Sequence, residues 1–294
     1  MPLIGRQLLP SSFGTRLQQA FSEAGQLCVG IDPHSALLEE WGLGDDVSGL
    51  DSFSNSVIDA AAGRVGIIKP QVSFFERFGS KGFAVLEATC QRATEAGLLV
   101  IMDVKRGDIG SSMDGYFDAW LGKSAPFVCD AITVSPYLGF DSLKTLMAHA
   151  TERGKGLFIL AATSNPEGAQ VQQAVTGSGA SIASTIWESL ESVNAITSGA
   201  GEKLGSFGAV LGATLNLNKF GLSTISTITQ TVATPILSPG FGAQGARLVD
   251  TGRLFGASSH QVIASVSRSV LGSGPQGIED AIDSAVAELA EGLA

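Results

Sequence analysis

The stretch LLVIMDVK, residues 98–105, is a nearly unbroken apolar run that ends in charged side chains. Several runs like it are continuously apolar rather than alternating, which is typical of parallel strands covered on both faces. Segments with helical periodicity lie between them, so strand and helix alternate eight times. This alternation predicts a closed (β/α)8 barrel, with a doubly wound open sheet as the alternative. The other seven runs are QLCVGID (26–32), GRVGIIKP (63–70), DAITVSP (130–136), LFILAATS (157–164), FGAVLGAT (207–214), TPILSP (234–239) and QVIASVS (261–267).

Two connections are longer than a barrel needs. Residues 166–206 are rich in Gly, Ser and Ala and predict one helix over 180–193, whereas the Ser- and Thr-rich segment 215–233 gives no helix boundary. The clearest helix begins at Pro275, a residue favoured in the first turn. Neither connection resembles a separate unit, so residues 1–294 are expected to form a single domain.

Composition excludes several classes of protein. Hydrophobic residues make up 44% and charged residues 16% of the chain, yet no apolar run approaches the roughly 18 residues of a membrane span. A soluble, cytoplasmic protein is expected, since the first residues carry no secretory signal pattern. Cys28, Cys90 and Cys129 are far apart in the sequence, which predicts buried reduced thiols rather than a disulfide framework.

Charge and histidine spacing exclude two kinds of site. The net charge is −10, and the 18 Lys and Arg residues form no basic stripe, which argues against a nucleic-acid partner. His34, His149 and His260 lack metal-ligand spacing to one another or to a cysteine. No metal site is therefore predicted.

The charged end of the 98–105 run predicts a functional site. Asp103 and Lys105 stand two residues apart and so share a face of the strand. In a barrel, the carboxyl ends of the strands form the active site. The alternative is an ordinary exposed ion pair, worth about 0–1 kcal/mol. Lys69 favours the functional interpretation, because it ends the neighbouring apolar run and places a second ammonium beside the pair.

Asp108 adds a second carboxylate to this set. The charges then sum to zero over Lys69, Asp103, Lys105 and Asp108. Burial requires this balance, because an uncompensated buried charge costs roughly 3–5 kcal/mol. A carboxylate close to each ammonium also keeps the ammonium protonated. The set therefore predicts a general acid held ready inside a pocket.

A glycine-rich segment follows the seventh predicted strand. SPGFGAQGA, residues 238–246, matches G-x-G-x-x-G, but a dinucleotide site normally carries this pattern after the first strand of its fold. In barrels, the loops after strands seven and eight bind phosphate. The backbone at Gly242, the amide of Gln244 and the guanidinium of Arg268 are the candidate contacts. The alternative to a phosphate site is that the glycines only form a tight turn and that Arg268 is an ordinary surface residue.

Two more strand ends add a polar rim. Asp32 in GIDPH is a candidate acceptor for ribose hydroxyls, and Ser135 in TVSPYLG is a candidate contact for an amide-bearing ring. Asp-Pro and Ser-Pro pairs also simply initiate turns.

Together these motifs resemble the orotidine 5′-phosphate decarboxylase family, specifically its longer bacterial form. The resemblance runs from GIDPH through IIKPQ, MDVKRGDIG, TVSPYLG and SPGFGAQGA to SRSVLG. Its most specific part is D-x-K-x-x-D with an upstream strand-end lysine. It implies decarboxylation of orotidine 5′-phosphate to UMP without a metal or organic cofactor.

The resemblance also implies a role for each motif residue. Lys105 stabilises the carbanion and protonates C-6, Asp103 lies beside the substrate carboxylate, and Asp108 enters the active site of a partner subunit in a homodimer. The remaining roles are positioning and ribose contact for Lys69, ribose binding for Asp32, pyrimidine binding for Ser135, and 5′-phosphate binding for Gly242, Gln244 and Arg268.

Two other functions stay open at this point. A Mg²⁺-dependent sugar-phosphate decarboxylase or aldolase of the same superfamily resembles this chain in D-x-K-x-x-D, but Lys69 stands where that group carries a glutamate and would repel the cation. The second open function is that of a non-catalytic barrel that binds a phosphate-bearing ligand.

Overall fold

A computed structural model describes residues 10–226 and 231–294. Eight parallel strands pair in sequence order, and β8 closes on β1, so the predicted (β/α)8 barrel is confirmed. The strands are β1 (Leu27–Ile31), β2 (Ile67–Pro70), β3 (Leu99–Arg106), β4 (Ala131–Val134), β5 (Gly156–Ala162), β6 (Phe207–Leu211), β7 (Ile236–Pro239) and β8 (Val262–Val266).

The α-helices are α1 (Phe13–Ala24), α2 (Ser35–Glu40), α3 (Val47–Ala61), α4 (Val72–Glu76), α5 (Gly79–Glu95), α6 (Gly110–Trp120), α7 (Lys144–Glu152), α8 (Ala169–Gln172), α9 (Ile182–Thr197), α10 (Thr251–Phe255), α11 (Arg268–Leu271) and α12 (Gly274–Leu293). The longer helices α3, α5, α9 and α12 cover the outside of the barrel and bury one face each. Short 3-10 segments span Phe140–Leu143, Pro166–Gly168, Leu217–Phe220, Ser223–Ser226, Leu248–Asp250 and Gly256–Gln261.

Helix α1 closes the amino-terminal end of the barrel. Phe13 and Leu17 are fully buried and join the cluster of side chains inside the barrel. The rings of Phe13 and Phe158 meet edge-on, with 5.9 Å between centroids. Gly156 makes room for this contact, because a Cβ there would come within 2.4 Å of the Phe13 ring. A ligand therefore reaches the interior from the carboxyl ends of the strands.

The two long connections differ from their predictions. The helix expected over 180–193 is α9, which begins two residues later because Ser181 caps it by accepting the Ser184 N–H. The segment 215–233 forms two 3-10 turns in its described part, and residues 227–230 lie outside the described ranges. Ser and Thr side chains compete for backbone hydrogen bonds, so a segment rich in them gives no helical signal.

Three further predictions concern single features. Pro275 lies in the first turn of α12, as predicted. Cys28, Cys90 and Cys129 are free and buried, which confirms the reduced thiols. Among the described residues, no helix combines the length and apolar character needed to cross a membrane.

Candidate active site

The carboxyl ends of β2, β3 and β4 bring two ammonium groups to one carboxylate. Lys69 Nζ lies 3.1 Å from Asp103 Oδ2, and Lys105 Nζ lies 2.6 Å from Asp103 Oδ1. Lys69 and Asp103 are buried, whereas the Lys105 side chain is 46% exposed. The structure thus brings three of the four predicted ionic residues together, with Lys105 open to an incoming ligand.

Two neutral donors complete the surroundings of Asp103. Gln71 Nε2 donates to Oδ2 at 2.9 Å, and Thr133 Oγ1 donates to Oδ1 at 2.9 Å. Both residues were missed by the sequence analysis. The available signal was a polar side chain within or directly after an apolar run, two residues from a predicted site residue. With four donors, the carboxylate is held in one orientation.

The backbone at Lys105 departs from a regular strand. Lys105 has φ +47°, the one positive φ at a non-glycine residue in the described ranges. The β3–β4 register shifts between Met102 and Arg106, so three residues of β3 face the single residue Thr133 of β4. A left-handed conformation costs a non-glycine residue roughly 1–2 kcal/mol. Such strain is concentrated at functional sites.

Electrostatics stabilise the ionised form of this cluster. Burial alone would raise the pKa of Asp103, but the ammonium groups of Lys69 and Lys105 outweigh it and hold that pKa well below its usual value. Burial alone would lower the pKa of Lys69, but the carboxylates of Asp103 and Asp32 raise it above its usual value. Asp103 is therefore an anion and Lys69 a cation at neutral pH.

Asp108 does not join this cluster within one chain. It lies in the loop between β3 and α6, and its carboxylate accepts the backbone N–H of Ile109 at 2.9 Å. The described residues offer it no ion pair. The charges of Lys69, Asp103 and Lys105 sum to +1, and the carboxylate of Asp32 also acts on Lys69.

A cavity of about 330 Å³ opens over the cluster. Its apolar wall includes Leu160, Val210 and Leu237, and polar side chains of the β5 loop, including Thr163 and Asn165, stand at another edge. This size suits a small planar ring rather than a polymer. An apolar wall beside a charged cluster strengthens the electrostatic interactions inside.

Asp32 and Ser135 follow β1 and β4, the strands on either side of β2 and β3. Asp32 follows β1, and its Oδ2 accepts a short hydrogen bond from the Ser267 hydroxyl. Its Oδ1 is buried and has no partner among the described residues. A buried carboxylate oxygen without a donor is a candidate acceptor for a ligand hydroxyl. Ser135 follows β4 and lines an adjacent cavity that shares Thr163 with the central one.

The glycine segment after β7 forms a compact turn. Gly242 has φ +71°, and a Cβ there would come within 2.4 Å of Ser269 Oγ, so only glycine fits. In this structure the Gly242 N–H donates to the Ala246 carbonyl at 2.8 Å. The expected phosphate contact therefore requires that N–H to exchange partners.

Gln244 and Arg268 stand at the same end of the barrel. Gln244 is exposed on the turn after β7, and Arg268 is exposed at the start of α11, directly after β8. Arg268 makes no ion pair with another described residue. Neither side chain lines the central cavity.

Metal-binding side chains do not cluster in the described ranges. No group of three or more His, Cys, Asp or Glu residues there is arranged to hold a metal ion.

Comparison with known proteins identifies relatives over most of the chain. The profile of the orotidine 5′-phosphate decarboxylase / HUMPS family matches residues 25–279. A Streptomyces coelicolor orotidine 5′-phosphate decarboxylase is 54% identical over 264 residues, which cover 90% of this chain and 91% of the relative. The same enzyme from Salinispora tropica is 47% identical with the same coverage.

Solved structures agree with these relatives. A crystal structure from Streptomyces avermitilis superimposes with a TM-score of 0.89 at 47% identity, covering 100% of both chains. The structure of Leishmania donovani OMP decarboxylase has a TM-score of 0.75 at 25% identity, covering 96% of this chain and 99% of that one.

Proposed function

The chain belongs to the orotidine 5′-phosphate decarboxylase / HUMPS family, and we propose that it converts orotidine 5′-phosphate to UMP and CO2 in pyrimidine biosynthesis. It is thus an enzyme of the carboxy-lyase class. The observation that carries the proposal is the contact of Asp103 with both Lys69 and Lys105 beside a ring-sized cavity at the carboxyl end of the barrel.

The chemistry requires a cation at the carbon that loses CO2. When the C-6 to carboxylate bond breaks, its electron pair stays on C-6, and the barrier reflects the instability of this carbanion. Lys105, held 2.6 Å from Asp103 and partly open to the cavity, is placed to stabilise the developing negative charge. It then transfers its proton to C-6, which gives UMP, and the neutral amine recovers a proton from water.

Asp103 has two candidate contributions in this scheme. It orients the Lys105 ammonium through their ion pair. As an anion, it would also lie beside the carboxylate of the substrate and favour its departure as neutral CO2. Lys69 supports both, because it keeps Asp103 ionised and fixed.

The rest of the substrate spans the polar groups around the barrel mouth. Asp32 accepts a ribose hydroxyl through its unpartnered Oδ1, and Ser135 contacts the pyrimidine. Gln244, Arg268 and the backbone of Gly242 hold the 5′-phosphate after the Gly242 N–H leaves the Ala246 carbonyl.

We further propose that Asp108 completes the active site of a second subunit. The position of Asp108 in its own chain, where it makes no ion pair with Lys69 or Lys105, supports this assignment. Ile109, next to it, is an apolar side chain that is 60% exposed, which suits burial against another chain. The functional unit is then a homodimer.

A direct assay tests the proposed reaction. Purified protein with orotidine 5′-phosphate should show the fall in ultraviolet absorbance that accompanies formation of UMP, at the same rate with and without EDTA. Activity that disappears with EDTA and returns with Mg²⁺ would instead assign the chain to the metal-dependent sugar-phosphate enzymes. Absence of any turnover would favour a non-catalytic binding protein.

Replacing Arg268 by alanine should mainly weaken substrate binding. A lost charge-assisted hydrogen bond is worth about 1.5–3 kcal/mol, which predicts a KM about 10 to 100 times higher with a much smaller change in kcat. Steady-state kinetics measure both constants. Arg92→Ala is the matched control, because Arg92 is an exposed residue of α5 paired with Asp59. A KM equal to that of the control would remove Arg268 from the phosphate site.

A further inference from the structure

The side chain of Thr133 connects the two residues on which the proposed chemistry depends. Its hydroxyl donates to Asp103 Oδ1 at 2.9 Å and accepts the backbone N–H of Lys105 at 3.0 Å. A hydroxyl has one hydrogen to donate and two lone pairs, so both bonds can form at once. Thr133 is 1% exposed, so its hydroxyl is shielded from water.

The Lys105 N–H needs this acceptor because the strand pairing fails at that point. β3 and β4 pair regularly at Met102 with Ile132, and again at Arg106 with Val134. Between these pairs β3 has two residues more than β4, so the regular ladder does not reach Lys105. The hydroxyl of Thr133 takes the place of the missing backbone carbonyl.

The same bond accounts for the left-handed backbone of Lys105. A non-glycine residue keeps φ +47° only where its surroundings enforce it. The Thr133 hydroxyl holds the N–H of Lys105, and the ion pair to Asp103 holds its ammonium. The Lys105 backbone is thus bonded to the Thr133 hydroxyl, and its ammonium is paired with the Asp103 carboxylate. The hydroxyl and the carboxylate are also hydrogen-bonded to each other.

We propose that Thr133 is a positioning residue that sets the Lys105 ammonium in line with the reacting carbon. The inference rests on the proposed function, since it assigns Lys105 as the proton donor. Without the hydroxyl, the N–H of Lys105 loses its protein acceptor and the backbone relaxes toward an extended conformation. Such a shift moves the ammonium away from the cavity while leaving the substrate contacts at Asp32 and Arg268 in place.

Three variants separate the hydroxyl from the shape of the side chain. Thr133→Val keeps the volume and removes both hydrogen bonds, Thr133→Ser keeps the hydroxyl, and Thr133→Ala serves if the valine variant does not fold. A displacement of the reacting group by about 1 Å can cost about 100-fold in rate. We therefore expect kcat to fall about 10- to 100-fold in the valine or alanine variant, with KM within about threefold, and the serine variant to recover most of the loss.

Thr89→Val is the matched control for a lost buried hydroxyl. Thr89 is also 1% exposed, but it lies in α5 and donates to the Val85 carbonyl, away from the site. Its kcat should equal that of the wild type. A kcat for Thr133→Val equal to this control, or a serine variant as slow as the valine variant, would overturn the inference.

A crystal structure of Thr133→Val tests the role of Thr133 without relying on enzyme activity. The structure of Thr133→Ala is used if the valine variant does not fold. If the wild-type protein does not turn over orotidine 5′-phosphate, the proposed function fails, and the structure alone decides the role of Thr133. A Lys105 φ that becomes negative in the variant supports positioning by Thr133. A Lys105 φ that remains near +47° contradicts it.

Discussion

Replacing Lys105 by alanine is expected to lower kcat for orotidine 5′-phosphate by at least about 10⁴-fold, because the ammonium has two roles at C-6. It stabilises the carbanion electrostatically, and it supplies the proton that replaces CO2. General acid catalysis alone contributes about 10²–10⁴-fold, and loss of one electrostatic donor costs about 10²–10³-fold. Rates near this limit are measured by following absorbance with high concentrations of the variant.

Two further variants test whether the loss of activity comes from the Lys105 ammonium itself. Lys105→Arg keeps a positive charge, but a guanidinium does not release its proton in proteins, so it should recover little activity. Lys123→Ala is the matched control, since Lys123 is exposed between α6 and β4, at the opposite end of the barrel. If Lys105→Ala kept more than about one tenth of the wild-type kcat, the lysine would not have the role assigned to it.

The second large effect is expected from mixing two inactive variants. Lys105→Ala and Asp108→Asn each remove one ionic group from every site of their own homodimers, so each should be nearly inactive. In a mixed dimer, one site receives Lys105 from one chain and Asp108 from the other and is intact. Random pairing in a two-fold symmetric dimer makes about a quarter of all sites intact, so about a quarter of wild-type activity should return.

A second mixture provides the control for subunit exchange. Asp103 and Lys105 contact each other within one chain at 2.6 Å, so a mixed dimer of Asp103→Asn and Lys105→Ala contains no intact site. This mixture should stay inactive under the conditions that restore the first. If the Lys105→Ala and Asp108→Asn mixture also stayed inactive although mixed dimers had formed, Asp108 would not act across the interface.

The barrel could be predicted from the sequence because its strands are apolar runs that recur eight times, with helical segments between them. Each buried parallel strand excludes polar residues until its carboxyl end, so Lys69, Asp103 and Lys105 stood out where the apolar runs stopped. The predicted positions of the strand ends were less accurate than the number of strands. The run 63–70 begins in a turn at Gly63, φ +76°, and only Ile67–Pro70 pair as a strand.

The details of the site depend on contacts that no local pattern encodes. Gln71 and Thr133 reach Asp103 only because β2, β3 and β4 lie side by side with a particular register. The left-handed backbone of Lys105 arises from the irregular pairing of β3 with β4, which a pattern of alternating side chains does not reveal. Likewise, the hydrogen bond from the Gly242 N–H to the Ala246 carbonyl forms only in the folded turn, so the sequence pattern does not reveal it.

The position of Asp108 shows a different limit. Its spacing from Lys105 predicted a shared charged set, but in a single chain its carboxylate caps the Ile109 N–H instead. The charges alone do not say which chain supplies each one, and the assignment of Asp108 to a partner subunit comes from the family resemblance and stays a prediction.

The most direct test is a crystal structure of the protein with UMP bound. We expect a dimer in which Lys105 Nζ lies within about 3.5 Å of C-6, still paired with Asp103, and the carboxylate of Asp108 of the partner subunit reaches the same site. It would be contradicted by a pyrimidine bound away from this cluster, or by a Lys105 ammonium turned toward bulk solvent with UMP in place.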